Sequence, residues 1–173
     1  VTKRDVLIAD DFKKFIVDTN PDLTEDEVTQ IFDNVRLVGS ESDFATLHKV
    51  YGWMVNGIQF TPQDGIARMI PLIDFKKDSN KNIFRVVNQF TVEYTNNGQK
   101  ENRRPDVLLF VNGMPLCVIE LKNPADANAT IYDAWEQINI RYWRDIPHLL
   151  HYCTLACISD GVKTRLGTVR TPY

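Results

Sequence analysis

Two carboxylates and one lysine lie within a single segment, Arg104–Asn123, with a spacing suited to metal-dependent hydrolysis. Asp106 opens a run of apolar residues, Asn112-Gly113 interrupts it, and a second run ends in Glu120-Leu-Lys122. Asn-Gly between two apolar runs predicts a β-hairpin, because both residues tolerate positive φ. The hairpin would fold the aspartate back beside the glutamate and the lysine.

The alternation of the second run predicts that Glu120 and Lys122 leave the same face of a strand. Burying two carboxylates on an apolar sheet is costly unless positive charge compensates them. Mg²⁺ binds one or two carboxylates together with phosphate oxygens and water, which suits phosphodiester hydrolysis. Glu-x-Lys alone is also common as a structural ion pair, so Pro105-Asp106 on the preceding strand is what makes the pattern specific.

Pro105-Asp106 followed by Glu120-x-Lys122 resembles the PD-(D/E)xK nuclease pattern. The surrounding sequence is similar to the N-terminal nuclease domain of type I restriction enzyme R subunits, and the similarity extends from about Phe44 to Thr168. Beyond the hairpin, it is carried by Val87-Asn-Gln-Phe-Thr, Arg103-Arg-Pro-Asp, Val118-Ile-Glu-Leu-Lys-Asn-Pro, Arg144-Asp-Ile-Pro and Ile158-Ser-Asp-Gly.

The resemblance implies Mg²⁺-dependent endonucleolytic cleavage of double-stranded DNA. Asp106, Glu120 and the carbonyl of Leu121 would hold the metal, and Lys122 would orient or activate the attacking water. The implied partners are motor domains of the same subunit, which use ATP, and the methyltransferase and specificity subunits of a restriction complex. Two alternatives stay open: a nuclease-like docking module without catalysis, and another PD-(D/E)xK nuclease with a different DNA substrate. An intact Asp, Glu and Lys set favours an enzyme, because docking does not need all three.

The helix predicted after the second apolar run carries further candidates. The family has a Gln-x-x-x-Tyr motif there, whereas Gln137 and Tyr142 are five positions apart in this chain. On a regular helix four positions leave two side chains about 40° apart, and five leave about 140°. Either the helix contains a one-residue bulge, or Arg141 takes the position that faces the site. All three residues are candidates for lining the site.

The balance of charge limits how this chain can bind DNA. Its formal net charge is −3, which argues against a surface that grips DNA throughout, since phosphate contacts need Lys and Arg. Arg104, beside the candidate aspartate, is the foremost candidate for a phosphate contact, with Arg103, Arg141 and Arg144 as weaker ones. No G-x-x-x-x-G-K-[ST] motif occurs in the sequence, so the motor must lie elsewhere.

The element pattern predicts an α/β architecture in one domain of 173 residues. Residues 1–56 read as a helical N-terminal region and residues 57–173 as a catalytic core, a restriction-endonuclease-like mixed sheet flanked by helices. No stretch is long and apolar enough for a membrane span or a signal peptide, and the three cysteines read as core thiols, so we expect a cytoplasmic protein. Because the sequence lacks an initiator Met, we expect a fragment of a larger R subunit.

Several individual elements are predicted with definite bounds. Thr24-Glu-Asp-Glu27 is a capping box at the start of a helix, and Ser40 or Ser42 begins the next one. Polar turns are expected at 76–82 and 95–100, and a loop at 123–129. The main strands are expected at Ile83–Tyr94 and Leu149–Ser159, and the crossover helix between strands at Thr130–Arg144.

Overall fold

Three helices open the chain, and side-chain caps begin the second and the third. The computed structural model describes residues 5–39, 42–76, 78, 80–125 and 130–173. The side chain of Thr24 accepts from the backbone N of Glu27 (3.3 Å), and the Glu27 carboxylate accepts from the backbone N of Thr24 (2.7 Å), which confirms the capping box. Ser42 caps the third helix. The helices α1, α2 and α3 span Ala9–Thr19, Glu25–Arg36 and Asp43–Asn56.

The strands form one five-stranded mixed sheet and two small antiparallel pairs. In the large sheet the order is β3-β6-β7-β8-β9, with β7 and β8 parallel and β8 and β9 antiparallel. The pairs are β1 with β2 and β4 with β5. This is the mixed-sheet α/β fold expected from the sequence, consistent with a restriction-endonuclease-like core. Strands β1 to β9 span Ile58–Phe60, Arg68–Ile70, Phe84–Asn88, Val92–Asn96, Gln99–Arg103, Val107–Val111, Met114–Leu121, Leu155–Ser159 and Thr164–Gly167.

The predicted hairpin is confirmed. Asn112 and Gly113 connect β6 to β7 with φ of 49° and 77°, the left-handed values that a two-residue hairpin turn requires. The Asn112 side chain is fully buried, accepts from the backbone N of Ile83 (2.8 Å) and donates to the carbonyl of Leu72 (2.9 Å). The turn residue is therefore held in place by its own side chain.

Two of the predicted strands are wrong in extent. The single strand expected over Ile83–Tyr94 is divided into β3 and β4, because Gln89 adopts a φ of 53° and leaves the extended conformation. The strand expected from Leu149 begins only at Leu155, since Pro147–Leu150 forms a short helix, α6. The turn predicted at 95–100 is shorter than expected, because β4 extends to Asn96 and β5, which was not predicted, begins at Gln99. The turn at 76–82 and the loop at 123–129 lie partly outside the described residues.

A helix connects β7 to β8, and its pitch changes midway. It consists of α4 (Ile131–Glu136), a π-helical turn (Gln137–Tyr142) and α5 (Trp143–Asp145). Thr130 caps it through a reciprocal capping box with Asp133. The crossover helix expected over Thr130–Arg144 is therefore present, with a wider turn in its middle.

Packing divides the chain into two compact units. One comprises mainly Val86–Phe110 and Pro115–Tyr173, and the other Leu7–Arg85 with Val111–Met114. The core of the first includes Leu108, Val118, Ile138 and Ile146, all fully buried; that of the second includes Phe12, Phe15, Ile31 and Ile70. None of the helices in the described part of the chain is long and apolar enough to cross a membrane.

The three cysteines are free thiols, as predicted. Cys117 and Cys153 are buried, and burial raises the pKa of Cys117 to about 11. A thiol that stays protonated at neutral pH is a poor nucleophile and a poor metal ligand. The two buried thiols therefore serve packing.

Candidate active site

The hairpin brings Asp106 and Glu120 together at one end of the large sheet. Asp106 directly precedes β6, and Glu120 is the last residue but one of β7. Oδ2 of Asp106 accepts from the backbone N of Leu121 (2.8 Å), so the aspartate lies across the hairpin from the glutamate strand. Leu121 directly follows Glu120, so this contact holds Asp106 and Glu120 at the same end of the hairpin.

Lys122 joins this site through an amide. Its Nζ donates to Oε1 of Gln137 (2.7 Å), and Nε2 of Gln137 donates to Oε2 of Glu120 (2.8 Å). The hydroxyl of Tyr142 accepts from Nε2 of Gln137 (2.8 Å) and donates to Oε1 of Glu120 (2.5 Å). An ammonium can only donate and a carboxylate can only accept, so this network fixes the orientation of the Gln137 amide. We call these four residues together with Asp106 the carboxylate network.

The carboxyl group of Glu120 has a strongly raised pKa. It is 0% exposed, and burial raises its pKa to about 8, with the hydrogen bond from Tyr142 opposing and the charge of Asp106 adding to the rise. Burial also raises the pKa of Tyr142, as does the neighbouring Glu120. Both oxygens of Glu120 face hydrogen-bond donors, which suits an ionised carboxylate, yet burial and Asp106 oppose ionisation. Positive charge near the two carboxylates would resolve this conflict.

The raised pKa predicts how stability depends on pH when metal is removed by a chelator. The folded protein holds the Glu120 proton more tightly than the unfolded chain, whose glutamates titrate near 4.5. Relative to Glu120→Gln, the wild type should therefore lose about 1.4 kcal/mol of unfolding free energy per pH unit above 4.5. This loss should end near pH 8. Denaturant titrations of both proteins across pH 4–9 measure it, and a difference that does not vary with pH would contradict it.

Glu101 provides a matched control for this measurement. It also accepts from a tyrosine hydroxyl, that of Tyr94, at 2.5 Å. It is only half-buried, and its hydrogen bond with Tyr94 lowers its pKa. The stability contributed by Glu101 should be lost as pH falls below 4.5. The difference in unfolding free energy between the wild type and Glu101→Gln should therefore stay constant between pH 4.5 and 8, the window that reports on Glu120.

The π-helical turn decides between the two alternatives for the longer Gln–Tyr spacing. A turn closed by i→i+5 hydrogen bonds brings residues five apart onto nearly the same side of the helix. Gln137 and Tyr142 accordingly both reach Glu120. Arg141 does not take the position that faces the site, because it is exposed and pairs with Glu136 at 3.1 Å.

The remaining basic candidates lie outside the carboxylate network. Arg104 is exposed. Arg103 and Arg144 both pair with Asp145, at 2.6 and 2.7 Å, and the hydrogen bonds from Arg144 and Arg103 lower the pKa of that carboxyl. Since Arg141 pairs with Glu136, three of the four arginines considered for phosphate contacts already have a carboxylate partner.

Gln89 is a site residue that the sequence did not single out. Its Nε2 donates to Oδ1 of Asp106 (2.9 Å), and its backbone N donates to the Asp106 carbonyl (2.9 Å). It occurs within one of the segments that resemble the R-subunit family. The sequence offered one indication of this role, an amide side chain within a segment predicted as a strand. It gave no indication that the chain turns at Gln89.

An open depression of about 450 Å³ lies over the exposed side of this site. Lys122 and Asp106 both line it, so a ligand in the depression can reach them. The other residues that line it are Asn88, Gln89, Val107, Leu121 and Asn123. Among the residues that the structure describes, no three or more His, Cys, Asp or Glu form a metal-binding group. A cation here would therefore rest on two carboxylates, with other ligands from backbone, water or substrate.

The chain matches the family described as the type I restriction enzyme R protein N terminus over residues 1–173. It belongs to that family. It is 35% identical over 170 residues to the putative type I restriction enzyme MjaIXP endonuclease subunit of Methanocaldococcus jannaschii, covering 95% of this chain and 16% of that protein. It is 31% identical over 175 residues to the HindI endonuclease subunit of Haemophilus influenzae, covering 97% of this chain and 16% of that protein.

Membership of the R-protein N-terminal family confirms the resemblance read from the hairpin and its surroundings. The match includes the first forty residues, where the sequence carried little of the resemblance. This R-protein N-terminal chain spans about 16% of the length of the two relatives.

Proposed function

We propose that this chain is the nuclease part of a type I restriction R subunit and cleaves double-stranded DNA with Mg²⁺. The observation that carries the proposal is the carboxylate network, in which a buried glutamate, an aspartate and a lysine converge beside an open depression. A structural ion pair would bring the lysine onto a carboxylate. Lys122 instead donates to the Gln137 amide. This hydrogen bond fixes the position of the ammonium without pairing it directly with either carboxylate.

The donors at the site fit Mg²⁺. Asp106 and Glu120 provide hard oxygen ligands, and the Leu121 carbonyl is a candidate third ligand from the same strand end. Mg²⁺ is typically held by one or two carboxylates, keeps several waters and binds substrate phosphate. When bound, the ion would polarise the scissile phosphate and lower the pKa of a water molecule.

Each residue of the network then has a defined task. Asp106 is held by Leu121 N and Gln89, which fixes the direction of its carboxylate. Tyr142 and Gln137 fix both oxygens of Glu120. Lys122, steadied by Gln137, presents its ammonium to the depression, where it would orient the attacking water or stabilise developing charge on the phosphate.

The net charge of −3 supports a division of labour. Tight DNA binding requires several Lys or Arg contacts to phosphates, and two of the candidate arginines pair with Asp145. We propose that ATP-driven motor domains of the same subunit hold the DNA, while specificity and methyltransferase subunits select the site. The greater length of the related endonuclease subunits is consistent with such additional parts.

A fluorescence-anisotropy titration with duplex DNA, with and without Ca²⁺ as a non-cleaving substitute, tests this proposal. At physiological salt the chain alone should bind at about micromolar Kd or weaker. Ca²⁺ should strengthen binding, because Asp106 and Glu120 would hold the ion and its positive charge would attract a DNA phosphate. Asp106→Asn should abolish the Ca²⁺ effect, whereas the control Asp64→Asn, in the other unit, should not. Nanomolar binding without Ca²⁺ would contradict the division of labour, and a Ca²⁺ effect that survives Asp106→Asn would contradict the metal site.

A further inference from the structure

We propose that the π-helical turn holds one inserted residue and thereby keeps Tyr142 as the positioning residue for Glu120. The catalytic role of this contact rests on the proposed function. The contact itself can be tested without measuring catalysis. In a regular helix the five-residue spacing would leave Tyr142 about 140° around the axis from Gln137. Both side chains nevertheless reach the same carboxylate, at 2.5 and 2.8 Å.

Burial on both sides of the π-helical turn explains why the helix cannot rotate to accommodate an additional residue. Ala134 before the turn and Ile138 at its start are fully buried, and Tyr142 at its end and Ile146 after it are 1% and 0% exposed. Rotating either flank by one residue, about 100°, would expose one of these sets. A locally wider turn takes in the extra residue and leaves both flanks in place.

The extra residue can be assigned to the exposed side of the turn. Ile140 is 48% exposed, and its neighbour Arg141 is exposed as well. Removing Ile140 leaves the sequence Gln-Ile-Asn-Arg-Tyr, a four-position spacing that a regular α-helix places on one side. The π-helical turn is rare because its geometry is unfavourable, so its presence here needs the contacts that it preserves.

Tyr142 holds the direction of the Glu120 carboxylate rather than touching substrate. Its side chain is buried, and its hydroxyl both donates to Glu120 and accepts from Gln137, so its hydrogen-bonding capacity is used within the network. It is therefore a positioning residue. Tyr142 can affect function only by orienting Glu120. The hydrogen bond between the two residues can be measured through its contribution to the stability of the fold.

The test measures Tm for Tyr142→Phe in three backgrounds: the wild-type chain, a deletion of Ile140, and an insertion of one alanine after Ile140. In the wild type the lost hydroxyl should lower Tm by about 3–6 °C. The deletion variant should fold with a Tm at or above that of the wild type. In this background Tyr142→Phe should lower Tm by the same amount as in the wild type. In the insertion variant the spacing is one residue longer than the π-helical turn accommodates, so Tyr142 should lose its contact with Glu120. Tyr142→Phe should therefore not lower the Tm of the insertion variant any further. Tyr132→Phe, which removes the hydroxyl of an exposed tyrosine, is the control.

Each other outcome overturns the inference. A deletion variant that fails to fold, or that folds without a cost for Tyr142→Phe, would show that the wide turn is not an accommodated insertion. A full cost in the insertion variant would show that the helix register does not control the contact. None of these measurements requires cleavage, so an assembled enzyme without nuclease activity would contradict the proposed function and leave this result standing. In a cleaving enzyme, the deletion should retain activity and the insertion should lose it.

Discussion

Lys122→Ala should reduce DNA cleavage by the assembled restriction enzyme about 10²–10⁴-fold, the range expected when one positioned charge is lost from the reacting centre. ATP hydrolysis should be unchanged. The half-buried Lys122 has its ammonium fixed at 2.7 Å from Gln137 and lines the depression beside Asp106. The sequence contains no phosphate-binding motor motif, so the two activities should separate. Linearisation of plasmid DNA and phosphate release, measured in the same reactions, test this.

Lys100→Ala is the matched control, because Lys100 lies in β5 and is exposed. It should leave both activities unchanged. Retained cleavage in Lys122→Ala would remove the lysine from the mechanism. Loss of ATP hydrolysis together with cleavage would indicate a role in assembly and would favour the docking alternative.

Gly113→Ala should destabilise the chain by about 4 kcal/mol or more, because it combines backbone strain with a steric clash. Gly113 has a φ of 77°, and an added Cβ would overlap the carbonyl oxygen of Ile8 and lie 2.9 Å from the backbone N of Phe12. Both clashing groups are backbone atoms at the start of α1, and Ile8 N also donates to the Gly113 carbonyl (2.8 Å). Neither can move without disturbing the helix. Thermal unfolding should show Tm lowered by about 10 °C or more.

Gly98→Ala separates the strain from the clash. Gly98 has nearly the same φ, 80°, in the turn between β4 and β5, and an added Cβ there would meet nothing within 4 Å. Only the left-handed strain of about 1–2 kcal/mol should remain. If both substitutions lowered Tm equally, close packing at Gly113 would not be the cause.

The sequence by itself determined the features that depend on neighbouring residues. Asn112-Gly113 predicted the hairpin because few other residues adopt positive φ at both turn positions. The two-residue period of a strand placed Glu120 and Lys122 on one side, and the hairpin brought Asp106 back to them. The capping box at Thr24 needed only three positions of separation. Each rule acts over a short range, so each can be applied without knowledge of the rest of the fold.

The tertiary structure alone decided where chain segments depart from those local rules. The sequence predicted one strand over Ile83–Tyr94, but Gln89 turns the chain with a φ of 53° and binds Asp106 through backbone and side chain. The partner that stabilises this turn is 17 positions away. A local pattern of apolar residues contains no information about such a partner.

The charge and the orientation of the network were likewise set by the fold. The spacing of Gln137 and Tyr142 left a bulge and a site-facing Arg141 equally open, and burial of both helix flanks selects the π-helical turn. The pKa of Glu120, about 8, follows mainly from complete removal from water. Burial is the combined effect of residues on β7, β8 and the crossover helix, which meet only when the chain has folded.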